Sequence, residues 1–221
     1  MKDLKASRAA YLVQRLVAEG EHENQDFKYT VNDPRKIARS VSAFANHSGG
    51  RLLIGVNDNG VPRGVRSEED IYVVESAATM YCDPPCTPTF TAYSVEGGAT
   101  VIRADIAPSN RRPVVVLESD GRRHAYFRVA DENIAAHPLM VRAWRAKDDP
   151  DRAVVFGLTA DRTSMLGALG DGPLTPEALG SKIELSRRVF EQVVVDLIAM
   201  DLVEFRFIDR KFHLAVVDKR E

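Results

Sequence analysis

Phe44-Ala45-Asn46-His47-Ser48-Gly49-Gly50-Arg51-Leu52-Leu53-Ile54-Gly55-Val56-Asn57-Asp58-Asn59-Gly60 decides the reading of this chain. Paired glycines after an apolar helical stripe permit the tight reversal a helix needs before a strand. Arg51–Val56 is then a buried strand by its continuous apolar run. Asn57-Asp58-Asn59-Gly60 closes it as a hairpin turn, because Asn and Gly tolerate positive φ.

Upstream, Asp33-Pro34 opens the helix, with Asp33 as N-cap and Pro34 at its first position, and Ile37, Val41 and Phe44 form its stripe. Before it, residues 5–18 carry Leu12, Val13, Leu16 and Val17 at helical spacing, and a short strand runs from Asp26 to Thr30. Downstream, residues 67–82 read as a helix, and Thr87–Val95, Ala99–Ile106 and Arg123–Val129 read as strands. Turns are expected at Glu96-Gly97-Gly98 and Asp120-Gly121, and a helix over 137–147 closes the domain. The sum is an α/β (α+β) domain with a mixed sheet over residues 1–148.

Lys147-Asp148-Asp149-Pro150-Asp151 is the expected linker to a second domain, 149–221. There the rhythm is a helix over Ser164–Leu169, a helix capped by Thr175, a helix over 187–200 capped by Ser186, and a hairpin. That hairpin runs through Val203–Ile208 and Lys211–Val216, turning at Asp209-Arg210. Three helices and a two-stranded wing is the winged-helix order, a helix-turn-helix variant.

At 221 residues the chain suits one large or two small domains, either of which can bury a core. No apolar run approaches the ~18 residues of a bilayer span, and the amphipathic N-terminus lacks a secretory segment, so a cytoplasmic protein without a membrane partner is expected. The formal net charge is -2, with 20 basic against 19 acidic residues in 1–148 and 10 against 13 in 149–221. Any nucleic-acid face is therefore a local patch rather than a bulk property. The two cysteines, Cys82 and Cys86, are spaced as half a zinc site with no second pair. His124 or His137 could complete it only by coincidence of fold, which leaves two unpaired thiols as the plainer reading. No phosphate-binding glycine motif or nucleophile–histidine spacing stands out.

The run Phe44–Gly60 resembles the signature of the Schlafen AlbA-type DNA-binding domain, roughly S-A-F-A-N-T-x-G-G-x-L-x-I-G-V-x-D-x-G. Glu21-His22-Glu23-Asn24-Gln25-Asp26-Phe27-Lys28 resembles that family's E-x-x-x-x-E-F-K element, and Tyr126-Phe127-Arg128-Val129-Ala130 its closing Y-x-R-x-G strand. The likeness covers roughly residues 12–145 and implies nucleic-acid handling. In the Schlafen relatives that cut RNA, acidic residues at the positions of Glu21, Asp26 and Asp58 form the nuclease site. Three convergent carboxylates can hold Mg²⁺ or Mn²⁺, though Asp26 is one methylene shorter than the usual Glu. The bland alternative is that Glu21 is solvated and Asp58 is a turn former.

Lys28, Arg35, Lys36, Arg39 and Arg128 are the candidate phosphate contacts of the first domain, extended by Arg111, Arg112, Arg122 and Arg123. In the second domain, Arg187, Arg188 and Gln192 would face DNA from the recognition helix, and Arg206, Arg210 and Lys211 from the wing. The leading expectation is a DNA-binding transcriptional regulator, with DNA preferred to RNA. The alternatives are a metal-dependent endoribonuclease and an interaction or oligomerisation scaffold. Because vertebrate Schlafens carry two such lobes in one chain, the resemblance also implies a homodimer.

Overall fold

The computed structural model describes residues 10–65, 67, 69–149 and 157–218. The chain divides into two compact units, 1–136 and 137–221.

In the first unit α1 (Ala10–Ala18) leads into β1 (Gln25–Lys28), α2 (Pro34–Ala45) and β2 (Gly50–Ile54). Parallel strands need a crossover, and α2 supplies it: Asp26 pairs with Leu52 and Lys28 with Ile54. The Asp33 carboxylate caps α2 by accepting from the Arg35 and Lys36 amides. Next come α3 (Glu69–Met80), β3 (Cys82–Asp83), β4 (Thr89–Ser94) and β5 (Thr100–Ile106). β6 (Val115–Leu117), β7 (Arg123–Val129) and β8 (Glu132–Ala135) complete the unit. The expected mixed sheet is present, in the order β1-β2-β5-β4. A second, wholly antiparallel sheet, β3-β6-β7-β8, was not foreseen. Its strands β3, β6 and β8 span only 2, 3 and 4 residues, too few for any periodicity to register.

Strand β2 explains its own apolar run. Leu52 and Ile54 face one core with α2 and α3, while Leu53 faces another with Val13, Leu16 and Phe27. Helix α2 packs on strands of both sheets and is buried nearly all round. Its open side is narrow and bears Arg35, Lys36 and Arg39, the only residues of the helix besides Pro34 that are not buried.

Gly50 and Gly55 are among the glycines required by space. A Cβ on Gly50 would lie 2.3 Å from the Phe44 ring. Gly55 has φ +89, and its Cβ would meet the Gly64 backbone at 2.5 Å.

The second unit starts at His137, so α4 (Pro138–Lys147), expected to close the first domain, packs against α7 (Arg187–Ala199) instead. Between them lie α5 (Ala160–Leu169), started early by the Thr159 cap, and α6 (Pro176–Lys182), capped by Thr175. The hairpin β9 (Val203–Ile208) with β10 (Lys211–Val216) follows in the expected register. One core gathers Leu139, Met165, Leu179, Phe190, Val194, Leu197 and Leu214. The linker residues Pro150 and Asp151, and residues 5–9 of the first expected helix, lie outside the described residues.

Candidate nucleic-acid interface

In the first unit β1 places Asp26 and Lys28 on one side of the strand, two residues apart. Asp26 is buried, and its Oδ2 takes Lys28 Nζ at 2.7 Å and the Ser40 hydroxyl at 3.0 Å. Arg128 on β7, its side chain only 1% exposed, stands 3.7 Å from Asp26 Oδ1. The same guanidinium donates to Gln25 O at 3.1 Å and to Asn133 Oδ1 at 2.9 Å, and Asn133 in turn donates to Ser40 Oγ. Burial opposes the Asp26 charge, but Lys28, a hydrogen bond from Glu21 and Arg128 outweigh it and hold the carboxyl below its ordinary value. Half-buried Glu21 is pushed the other way, by burial and then by Asp26 beside it, while its Oε1 accepts the Phe27 amide at 2.7 Å. The network thus holds an ionised carboxylate beside one that ionises reluctantly.

Asp58 does not join them. It is an exposed residue of the turn after β2, and among the described residues no three acidic, histidine or cysteine side chains are grouped to hold a metal ion. The pair Glu21–Asp26, with two cations on Asp26, does not fit Mg²⁺ or Mn²⁺. A divalent ion there would face Lys28 and Arg128 at close range.

Arg128, proposed from sequence as a phosphate contact, is used inside the fold. It also lies over the Phe44 ring at 5.1 Å. Lys28 keeps a quarter of its side chain in solvent but is paired with Asp26. Arg39 makes a two-pronged contact to Glu118, at 2.9 and 2.6 Å, and lies over Tyr126. Those bonds, with one from the Tyr126 hydroxyl at 2.6 Å, hold buried Glu118 below its usual range. Burial and that bond push Tyr126 up to about 12. Arg35 lies over the Tyr81 ring at 5.0 Å, and of the α2 bases Lys36 is the one exposed as a whole residue. Arg111 is exposed, Arg112 half-buried, and the exposed Arg122 and Arg123 are paired with Asp120 and Asp83.

Sequence reasoning missed Asn46. Its amide donates to Val114 O at 2.9 Å and Tyr126 O at 2.8 Å and accepts from the Val114 amide at 2.7 Å. Ser42 joins it on the same backbone. The Asn of the Phe44–Gly60 run therefore ties α2 to the second sheet, a role whose only sequence signal was a polar residue at the end of an apolar helix.

In the second unit, α7 leaves Arg187, Arg188, Val189 and Gln192 exposed on its first turns. Arg187 bonds Glu191 at 2.9 Å, Arg142 bonds the same carboxylate at 2.7 Å, and Gln192 bonds Asp196 at 2.8 Å. These four residues, with Arg142, line a cleft of about 730 Å³. The hairpin turn carries exposed Arg210 and Lys211, with Asp209 and Arg210 both at positive φ. Arg206 is bonded to Glu204 at 2.8 Å. The basic residues expected of the second domain thus fall on its surface, on two consecutive elements, whereas in the first Arg128 is committed internally and Lys28 and Arg39 are paired with buried carboxylates.

Among known proteins, the family model described as Schlafen, AlbA_2 matches residues 21–137. No curated protein matches the chain. Among solved structures, that of the DIP2311 protein from Corynebacterium diphtheriae is similar, at 18% identity and a TM-score of 0.47. The match covers 91% of this chain, which spans 37% of that one.

Proposed function

This chain belongs to the Schlafen AlbA_2 family, which points to a nucleic-acid-binding domain, and from that premise we propose that it is a DNA-binding transcriptional regulator. The observation that carries the proposal is that, after α4, the second unit runs as three helices and a hairpin. The helix before the hairpin exposes Arg187, Arg188 and Gln192, and the hairpin turn exposes Arg210 and Lys211. We read this order as a winged helix, with α7 in a major groove and the wing, Arg206 included, against phosphate. Gln192 offers an amide suited to adenine, and Arg188 a fork suited to guanine. The first unit contributes Lys36 and its exposed arginines to the backbone, and the buried Asp26–Arg128 network keeps the scaffold rigid. The protein acts in the cytoplasm as a homodimer, two copies spacing two half-sites. A monomeric mass by light scattering would remove that last element.

The test is a gel shift of the full chain with duplex DNA, single-stranded RNA and tRNA, at two salt concentrations, with and without Mn²⁺. Salt-sensitive binding to duplex DNA without cleavage is expected. Cleavage that needs Mn²⁺ and is lost in Asp58→Ala would overturn the regulator in favour of the endoribonuclease. Absence of binding to all three would leave an interaction scaffold.

A further inference from the structure

One carboxylate on α7 is shared by two arginines of different helices. Glu191 accepts Arg187, one turn before it on the same helix, at 2.9 Å, and Arg142, from α4, at 2.7 Å. Its side chain is 28% exposed, against 40% for Arg142 and 92% for Arg187, so the carboxylate lies deeper than both guanidinium groups. With Arg188 these residues line the cleft of about 730 Å³ on the first turns of α7. Three arginines against one glutamate leave that cleft with a clear positive excess, whereas residues 137–221 as a whole carry 13 basic against 14 acidic residues. Arg142 lies outside the helix and hairpin in which a helix-turn-helix reading looks for contacts, and the packing of α4 on α7 is what brings it to the cleft.

We propose that this cleft seats a backbone phosphate of duplex DNA, with Arg142 as a contact from α4 and Glu191 as the internal anion that the phosphate displaces. The inference rests on the DNA-binding reading of the second unit and deepens it. The physical case is a competition for two guanidinium groups. The pairs to Glu191 are open to water, where an ion pair is worth little, and an arginine 92% exposed is freed at small cost. A phosphate takes guanidinium forks bidentately and lies at the positive, N-terminal end of α7. Its arrival also releases counterions condensed on the duplex, a gain that an internal carboxylate cannot give. Glu191 therefore holds Arg142 and Arg187 in place in the free protein. Once a phosphate is seated, its charge remains nearby and weakens binding to every duplex alike.

The experiment measures binding of the full chain to a labelled duplex of random sequence by fluorescence anisotropy, at several salt concentrations. Glu191→Gln should bind about fivefold more tightly, because two exposed ion pairs no longer compete with the phosphate. Arg142→Ala in the Glu191→Gln background should lose about fivefold and lower the salt slope by about one counterion. That loss would not occur if Arg142 served only to neutralise Glu191. Arg145→Ala removes an exposed cation of α4 that does not line the cleft, and should change binding by less than about twofold. Melting followed by Trp144 fluorescence checks that each variant folds, and Arg142→Gln gives the same reading if the alanine variant does not. Wild-type binding that Glu191→Gln leaves unchanged or weakens overturns the inference alone, as does an Arg142→Ala loss no larger than that of Arg145→Ala. No duplex binding by either wild type or Glu191→Gln overturns the DNA reading and the inference with it, whereas binding seen only in Glu191→Gln supports both.

Discussion

Replacing Arg128 by Met separates a structural arginine from a nucleic-acid contact. The Arg128 side chain is 1% exposed and that of Asp26 5% exposed, so the substitution removes a buried cation and leaves a buried carboxylate behind. Breaking a buried pair on one side costs about 3–5 kcal/mol, because the remaining charge has lost its compensation. Lys28 still reaches Asp26 at 2.7 Å, which places the expected loss at about 3 kcal/mol, the lower end. For a chain of this size that lowers the melting temperature on the order of 10 °C. The two units need not unfold together, so the local reporter is amide exchange in α2 and β7, whose protection should fall by about 10²-fold. Asp26→Asn in the Arg128→Met background should restore part of the loss, since the buried carboxylate is gone and Lys28, a quarter exposed, can turn its charge to water. A variant whose exchange and melting are unchanged but whose nucleic-acid affinity collapses would refute the reasoning and make Arg128 a phosphate contact.

Asp26 also sets a pH dependence. Its folded pKa lies below its unfolded one, so its contribution is complete at neutral pH and is lost as pH falls through the acid range. In Arg128→Met that loss should begin at higher pH, as acid titration followed by circular dichroism will show. His137 caps α4 by accepting the Leu139 amide at 3.2 Å and sits among the rings of Phe205 and Phe212, where burial lowers its pKa. Its neutral form is the stabilising one, so the second unit should lose stability as pH drops below about 6.5, the ordinary histidine value. His137→Ala should cost about 1 kcal/mol at neutral pH and abolish that step, read by fluorescence of the sole tryptophan, Trp144 on α4. Gly55→Ala should cost more than about 2 kcal/mol in chemical denaturation, since its new Cβ meets backbone rather than a movable side chain. Arg188→Ala with Lys211→Ala should weaken duplex-DNA binding and flatten its salt dependence by about one to two counterions, leaving the melting temperature unchanged.

The sequence by itself determined the features in which short-range chemistry dominates. Asp33-Pro34, Thr175-Pro176 and Ser186 started helices where their caps predict, the 209–210 turn set the register of the last hairpin, and the Phe44–Gly60 run identified the family. Two helix starts were read late or assigned elsewhere. Thr159 starts α5 before Ser164, and α4 belongs with α7 because its buried Leu139 and Ala143 match that core. Only the tertiary structure decided what the polar residues do. Arg39 and Arg128 look alike in the sequence as candidate phosphate contacts, yet one binds Glu118, seventy-nine residues away, and the other lies buried beside Asp26. Strand β3 was invisible for the same reason, since Cys82 pairs with Val116 from far along the chain, while β6 and β8 pair within hairpins but are too short for a period to register. Hydrophobic period and caps act within a turn or two, whereas a buried charge is settled by whichever partner the fold delivers to it.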